Sequence, residues 1–290
     1  MGKKWNMIVD VSRCDNCRNC FLATKDEHIG NDFSDYAAAQ APSGHRWVDI
    51  RKKERGSWPI IESSYFPVMC NHCDNAPCMH AAKGGAVRKR DDGIVIIDPV
   101  KSKGQRQVVD ACPYGAVFWN EEKSIPQAWI FDAHLLDQGW KKTRMEQVCP
   151  LNVLESMKVE DAEMRDIAKT QGLEVLQPEL GTNPRVYYKN LHLITTCFVA
   201  GSVSVEVDGV EECAEGVEVI LTQNGTEIAQ TFTDTFGEFK IDRLDKHNGG
   251  YELALRLGQT SNTMMKFDLS EDSLYLGLLK LPEQQQKTSV

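Results

Sequence analysis

Cysteine is the residue type whose number and spacing could do chemistry in this chain. Six of its ten cysteines form two triplets, Cys14-x2-Cys17-x2-Cys20 and Cys70-x2-Cys73-x4-Cys78. Two more stand alone, each before a proline: Cys112-Pro113 and Cys149-Pro150. Three thiolates within seven residues can wrap one face of an iron–sulfur cube, because the short loops bend each sulfur toward a common centre. The fourth ligand then comes from a remote cysteine, as it does in two-cluster ferredoxins, where that cysteine precedes a proline. Two triplets and two Cys-Pro units therefore supply the ligands of two [4Fe-4S] clusters. Zinc is the alternative metal for each triplet. It favours paired Cys-x2-Cys units, and a third cysteine at the same spacing suits it poorly.

Other chemistries find less support. No Gly-rich phosphate loop follows a strand, and neither a Ser–His–Asp signature nor a His-Glu-x-x-His motif is present. His28, His45, His72 and His134 fall among the cysteine motifs and read as hydrogen-bonding groups for cluster sulfurs or a partner backbone. The basic run Arg51–Arg55 and the Arg46-Trp47 pair read equally as a solvated face or as a surface for an acidic partner. Cys197 and Cys213 have no ligand-like neighbours and read as buried free thiols.

The elements that must position these groups fall into zones. The 290 residues suit about two domains, and 41% hydrophobic with 26% charged residues describes an ordinary globular chain. The net charge of −9 argues against a nucleic-acid binder. No apolar run approaches the length of a membrane span. The N-terminus has two lysines but no signal-peptide core, so a cytoplasmic location is expected. Residues 1–150 carry the cysteine motifs among short strands, such as Asn6–Val11 and Gly93–Asp98. Leu151–Thr170 has apolar residues near helical spacing and Gly172 as a stop, and an extended linker follows to about 195. From Phe198 the period becomes two, with turns at Asn224-Gly225, Asp234–Gly237 and Asn248-Gly249-Gly250, which predicts a β-sandwich over 196–282. The polar tail 283–290 is expected to fray.

Several stretches carry a family resemblance. They are Cys17–Phe21, Lys25–His28, Gly44–Trp47, Arg51–Gly56, Cys70–Cys78, Asp92–Pro99, Cys112–Gly115, Ala133–Asp137 and Pro178–Leu191. Together they resemble the iron–sulfur subunits of DMSO-reductase-type molybdopterin oxidoreductases, and within them the small subunits of the pyrogallol–phloroglucinol transhydroxylases. The C-terminal strands resemble transthyretin-like or carboxypeptidase-regulatory-like Ig-type modules. The implied fold class is α+β: a double ferredoxin-like [4Fe-4S] domain, a linker and an Ig-like β-sandwich. The resemblance also implies a large molybdopterin (Mo or W) catalytic subunit as partner, with catalysis there and none on this chain, and it admits assembly of such heterodimers into larger particles.

The family pattern has four clusters, and this chain departs from it in sets of four. One whole ligand set is replaced by Thr24, Trp129, Asp132 and Met145, and another by Ala82, Ser102, Gln105 and Val108. The resemblance leaves two intact sets: Cys14, Cys17, Cys20 and Cys149 for the first [4Fe-4S] cluster, and Cys70, Cys73, Cys78 and Cys112 for the second. They would be the first and third stations of a wire that lacks its second. Such a gap suits a redox-neutral reaction, hydroxyl transfer between polyphenols, with clusters that are mainly structural or electron-buffering. An aromatic hydroxylase or dehydroxylase with another electron route, and a stand-alone ferredoxin-type carrier, are the alternatives.

Overall fold

Met7, Ile8 and Val9 are buried in succession, so the strand that holds them must be covered on both faces. This strand, β1 (Lys4–Asp10), opens the chain. It is followed by α1 (Asn19–His28), the hairpin of β2 (Val48–Ser57) and β3 (Ile60–Met69), and α2 (Pro77–Ala81). Two short hairpins come next, β4 (Val87–Lys89) with β5 (Val95–Ile97) and β6 (Phe118–Asn120) with β7 (Ile125–Gln127), and α3 (Gln107–Asp110) lies between them. Then come α4 (Ala133–Asp137), α5 (Arg144–Gln147), β8 (Leu154–Val159), α6 (Asp161–Gln171) and β9 (Val186–Lys189). The computed structural model describes residues 2–258 and 260–282, with backbone alone for 260–264; the tail expected to fray, 283–290, lies outside the described residues. The chain divides into two units, one built on residues up to 52 and on 64–191, the other on 53–63 and on 192 onward.

In the first unit β1 is the central strand, antiparallel to β8 and parallel to β9. This corrects the reading of 151–195 as one helix and a linker. Leu154–Val159 is a strand because Lys4–Val9 offers it a full ladder, and tertiary pairing outweighs a weak helical period. The helix starts only at Asp161 and ends where expected, on Gly172 in the left-handed conformation. The apolar residues at period two in Val186–Lys189 complete the sheet.

The second unit contains α7 (His192–Thr195), β10 (Cys197–Val207), β11 (Val210–Cys213), β12 (Glu218–Gln223), β13 (Thr226–Phe232), β14 (Glu238–Leu244), β15 (Asn248–Leu257), β16 (Thr260–Leu269) and β17 (Leu274–Leu281). One sheet runs β11-β10-β14 with β17 added parallel to β10, and the other runs β13-β12-β15-β16. Alternate residues of both, among them Val199, Val203, Val219, Leu221, Phe239, Leu253 and Leu255, bury one common core. Asn224 and Gly225 both have positive φ in the β12–β13 turn, as the sequence predicts. Gly237 closes the Thr233–Phe239 corner; a Cβ there would stand 2.3 Å from the Val203 carbonyl oxygen. Two expectations fail. Asn248–Gly250 is no turn: it opens β15 through a register shift, and the connection lies just before it. Cys213 is exposed, because it ends a short strand with no buried residue, whereas Cys197 is buried as expected.

Candidate iron–sulfur centres

The same local design occurs twice in the first unit. In each Cys-x2-Cys loop the residue before the second cysteine is left-handed, Asn16 at φ 64° and His72 at φ 46°. That left-handed residue turns the chain sharply between the two cysteines. The third cysteine of each triplet begins a helix, Cys20 on α1 and Cys78 on α2. Each helix packs on a short helix that stops just before the remote cysteine: α1 on α5 before Cys149, and α2 on α3 before Cys112. The Cys149 amide still reaches back to the Glu146 carbonyl, at 3.3 Å, and the Cys112 amide to that of Val109, at 3.1 Å. The proline that follows each cysteine then prevents another turn.

Cys14, Cys17, Cys20 and Cys149 line one small pocket whose remaining wall is mostly apolar, with Ile50, Pro67, Pro150, Leu151, Val153 and Leu154. Burial pushes the Cys20 thiol up to about 12, and the charges of Cys14, Cys149 and Cys17 push the same way. Cys14 is also raised, by burial and by Cys149 and Cys17. The Val153 amide donates to Cys149 Sγ at 3.3 Å.

Cys70, Cys73, Cys78 and Cys112 act on one another in the same way. Burial raises Cys70 well above the ordinary thiol range, Cys73 to about 11 and Cys78 to about 12, with Cys112 adding to all three. The loop that carries Cys70 and Cys73 is gripped from outside by the stretch expected as linker. The Asp74 amide donates to the Asn183 carbonyl at 2.9 Å, the Asn75 amide to that of Thr182 at 3.0 Å, and the Arg185 amide to that of Asn71 at 2.8 Å. The Thr182 hydroxyl meets Tyr114 Oη at 2.5 Å and also bonds the Cys73 thiol. From below, Lys89 Nζ donates to the carbonyls of His72 and Cys73, at 2.8 and 2.9 Å. Sequence reasoning did not single out Thr182, Arg185 or Lys89. The available signal was polar side chains in a stretch too extended to need them.

Each set offers four soft sulfur donors, which is the donor chemistry of iron–sulfur clusters. The residues present therefore fit such a group at each site.

The residues at the positions that the resemblance assigns to two further ligand sets make ordinary protein contacts. Trp129 and Met145 are fully buried, and Asp132 and Thr24 nearly so. Trp129 Nε1 donates to Asp132 Oδ1 at 3.0 Å, and the Arg144 amide donates to Asp132 Oδ2 at 2.7 Å. The Thr24 hydroxyl folds back on the Cys20 carbonyl at 2.9 Å. In the other set Val108 joins an apolar core against which Ala82 packs, and Gln105 is held by both backbone groups of Lys83.

The histidines serve this packing. His72 Nδ1 accepts the Val95 amide at 3.0 Å, so the proton sits on Nε2, and the ring meets those of Trp129 and Phe131 edge-on, with centroids 5.5 and 5.3 Å away. Burial lowers its pKa to about 3 and keeps it neutral. His134 Nε2 meets Glu27 Oε1 at 2.8 Å, and His45 Nε2 donates to the Trp119 carbonyl at 2.9 Å. His28 is wholly buried among Phe33, Trp47 and His134.

Sequence comparison joins the geometry here. The model of the 4Fe-4S dicluster domain matches residues 61–159. The pyrogallol hydroxytransferase small subunit of Pelobacter acidigallici is 43% identical over 285 residues, which are 96% of this chain and all of that one. The chain belongs to this small-subunit family. More distant relatives include a tetrathionate reductase subunit of Salmonella typhimurium, 28% identical over 65% of this chain and 73% of its own length. A subunit of the anaerobic dimethyl sulfoxide reductase of Escherichia coli is 30% identical over 53% of this chain and 74% of its own length. The family places the chain among the iron–sulfur subunits of molybdenum enzymes. No helix among the described residues is long and apolar enough to cross a membrane.

Proposed function

We propose that this chain is the cluster-bearing, non-catalytic subunit of a heterodimeric, cytoplasmic molybdopterin enzyme that moves hydroxyl groups between polyphenols without net oxidation. Cys14, Cys17, Cys20 and Cys149 hold one [4Fe-4S] cluster, and Cys70, Cys73, Cys78 and Cys112 hold the other. When bound, each cluster supplies a one-electron store and a cross-link. The chain's own residues do the rest. The left-handed residues Asn16 and His72 turn each Cys-x2-Cys loop back on itself. The apolar wall of Ile50, Pro67, Leu151 and Val153 limits water at the first set. Each remote cysteine ties a distant segment to its triplet, as a structural metal does. The second unit serves as an Ig-like accessory module that docks and carries no chemistry.

One observation carries the redox-neutral reading. The positions where the resemblance puts the ligands of the missing second station are Thr24, Trp129, Asp132 and Met145, and all four side chains are buried in packed protein. Electrons that had to leave at each turnover would cross that protein. The test is polyphenol turnover by the purified complex under anaerobic conditions, with a hydroxylated co-substrate, with and without a dye acceptor. Equal steady rates are expected. Stoichiometric dependence on the dye would overturn the reading in favour of a hydroxylase or dehydroxylase with another electron route. Purification without a large partner would favour a stand-alone carrier.

A further inference from the structure

We propose that Lys89 sets the reduction potential of the Cys70/Cys73/Cys78/Cys112 cluster, holding it above the value that its burial alone would give. The inference rests on the ligand assignment made above.

Reduction adds one electron, and so one negative charge, to a site already ringed by four thiolates. Net charge, hydrogen bonding and solvent exposure are the protein's levers on such a potential. Beneath the Cys70–Cys73 loop the structure supplies a charge. Lys89 lies on the β4–β5 hairpin, with its side chain 18% exposed. Its ammonium donates to the carbonyls of His72, Cys73 and Gly93 at 2.8, 2.9 and 3.0 Å, and stands 2.8 Å from Asp74 Oδ1. Carbonyl oxygens satisfy its protons without cancelling its charge.

Asp74 does not cancel that charge either, because Arg185 claims it with two bonds, at 2.7 and 2.5 Å. Arg185 is shared in turn with Asp161, at 3.0 Å, which also takes Lys4 at 2.8 Å. Lys4, Lys89 and Arg185 against Asp74 and Asp161 leave one net positive charge, and Lys89 is the cation whose charged group bonds the His72 and Cys73 carbonyls. In a poorly screened interior such a charge favours the more negative, reduced form. The Cys14 site is built otherwise: the Asp15 carboxylate accepts the Cys17 amide at 3.1 Å, and the cation of that triplet, Arg18, is exposed and, among the described residues, bonds only the Asn16 side chain, at 3.3 Å.

The experiment is a potentiometric titration of the intact complex followed by electron paramagnetic resonance, with iron counted in every sample. A Cys149→Ala complex, which has no fourth side-chain donor for the first cluster and should hold about four irons, assigns the signals. Lys89→Met is expected to move the second cluster's midpoint to lower potential and leave the first unmoved. Lys89→Arg is expected to restore most of the shift, which a purely structural tie would not require. Asp74→Asn removes the opposing charge and is expected to move the same midpoint upward. About eight irons with an unmoved second midpoint in Lys89→Met, or equal shifts of both clusters, would overturn the proposal. If Lys89→Met loses the cluster, Asp74→Asn decides alone: an upward shift supports the proposal, and no shift or a downward one overturns it. Four irons or fewer in the unaltered complex would overturn the ligand assignment, and this proposal with it.

Discussion

Replacing Trp129 tests how tightly the protein around it is packed. The indole is wholly buried, stacks on Phe131 with ring centroids 4.8 Å apart, and holds Asp132 through Nε1 at 3.0 Å. Truncation to alanine should cost about 3–5 kcal/mol, from lost burial and from the cavity that remains. Trp129→Phe keeps a ring and removes the donor. The buried Asp132 carboxylate then retains the Arg144 amide but not the indole, a penalty of about 1–3 kcal/mol. The two variants separate by pH. Burial raises the Asp132 pKa, and the bonds from Trp129 and Arg144 lower it, so the phenylalanine variant raises it further. A raised carboxyl contributes stability that is full below its unfolded value of 3.8 and is lost as pH rises through its folded value. The part of the Trp129→Phe penalty that comes from the Asp132 carboxylate should therefore vanish in acid and be full at neutral pH, whereas most of the Trp129→Ala penalty should persist at both. Hydrogen exchange of the β1 amides reads the opening free energy of this unit alone, since Trp5 on β1 contacts Phe131 at 5.9 Å. A loss below about 1 kcal/mol for Trp129→Ala at neutral pH would refute the reasoning, because the cavity term alone should exceed it.

Cys149→Ala should reduce iron from about eight to about four per chain and spare the signal of the Cys70 set; twelve irons in the unaltered protein would mean that Thr24, Trp129, Asp132 and Met145 do not close their station. Arg55→Met should destabilise the second unit by about 3–5 kcal/mol, measured by hydrogen exchange of β14. Its guanidinium is buried between Asp242 at 2.8 Å and Glu62 at 2.7 Å, and Lys240 is the cation left to both. Burial works against the Asp242 carboxylate, but Arg55 and Lys240 outweigh it and hold the pKa at about 2. Its contribution is present above the unfolded value of 3.8 and lost as pH falls toward 2, so the Arg55→Met penalty should shrink in acid. Thr233→Val should cost about 1–3 kcal/mol in the same assay. That buried hydroxyl donates to the Ala214 carbonyl at 2.5 Å and accepts the Val217 amide at 2.9 Å.

What the sequence determined by itself is local. The x2 spacing of Cys14, Cys17 and Cys20 and the proline after Cys112 and Cys149 are covalent facts, and they dictate thiolate cluster chemistry before any folding is considered. Alternation in Val199–Val207 needs only the strand period, and the Asn224-Gly225 turn needs only residues that tolerate positive φ. The tertiary structure decided whatever depends on a partner far along the chain. Leu154–Val159 is a strand because Lys4–Val9 lies beside it. The stretch around Thr182 and Arg185 is a clamp because Asn71, Cys73 and Asp74 lie under it. Lys89, one cation among thirty-three lysines and arginines, becomes the charge beneath a cluster loop only when the β4–β5 hairpin folds against Cys73. Spacing fixes which atoms can share a centre, but the energy of pairing and burial is non-local, and no short window of sequence contains both sides of it.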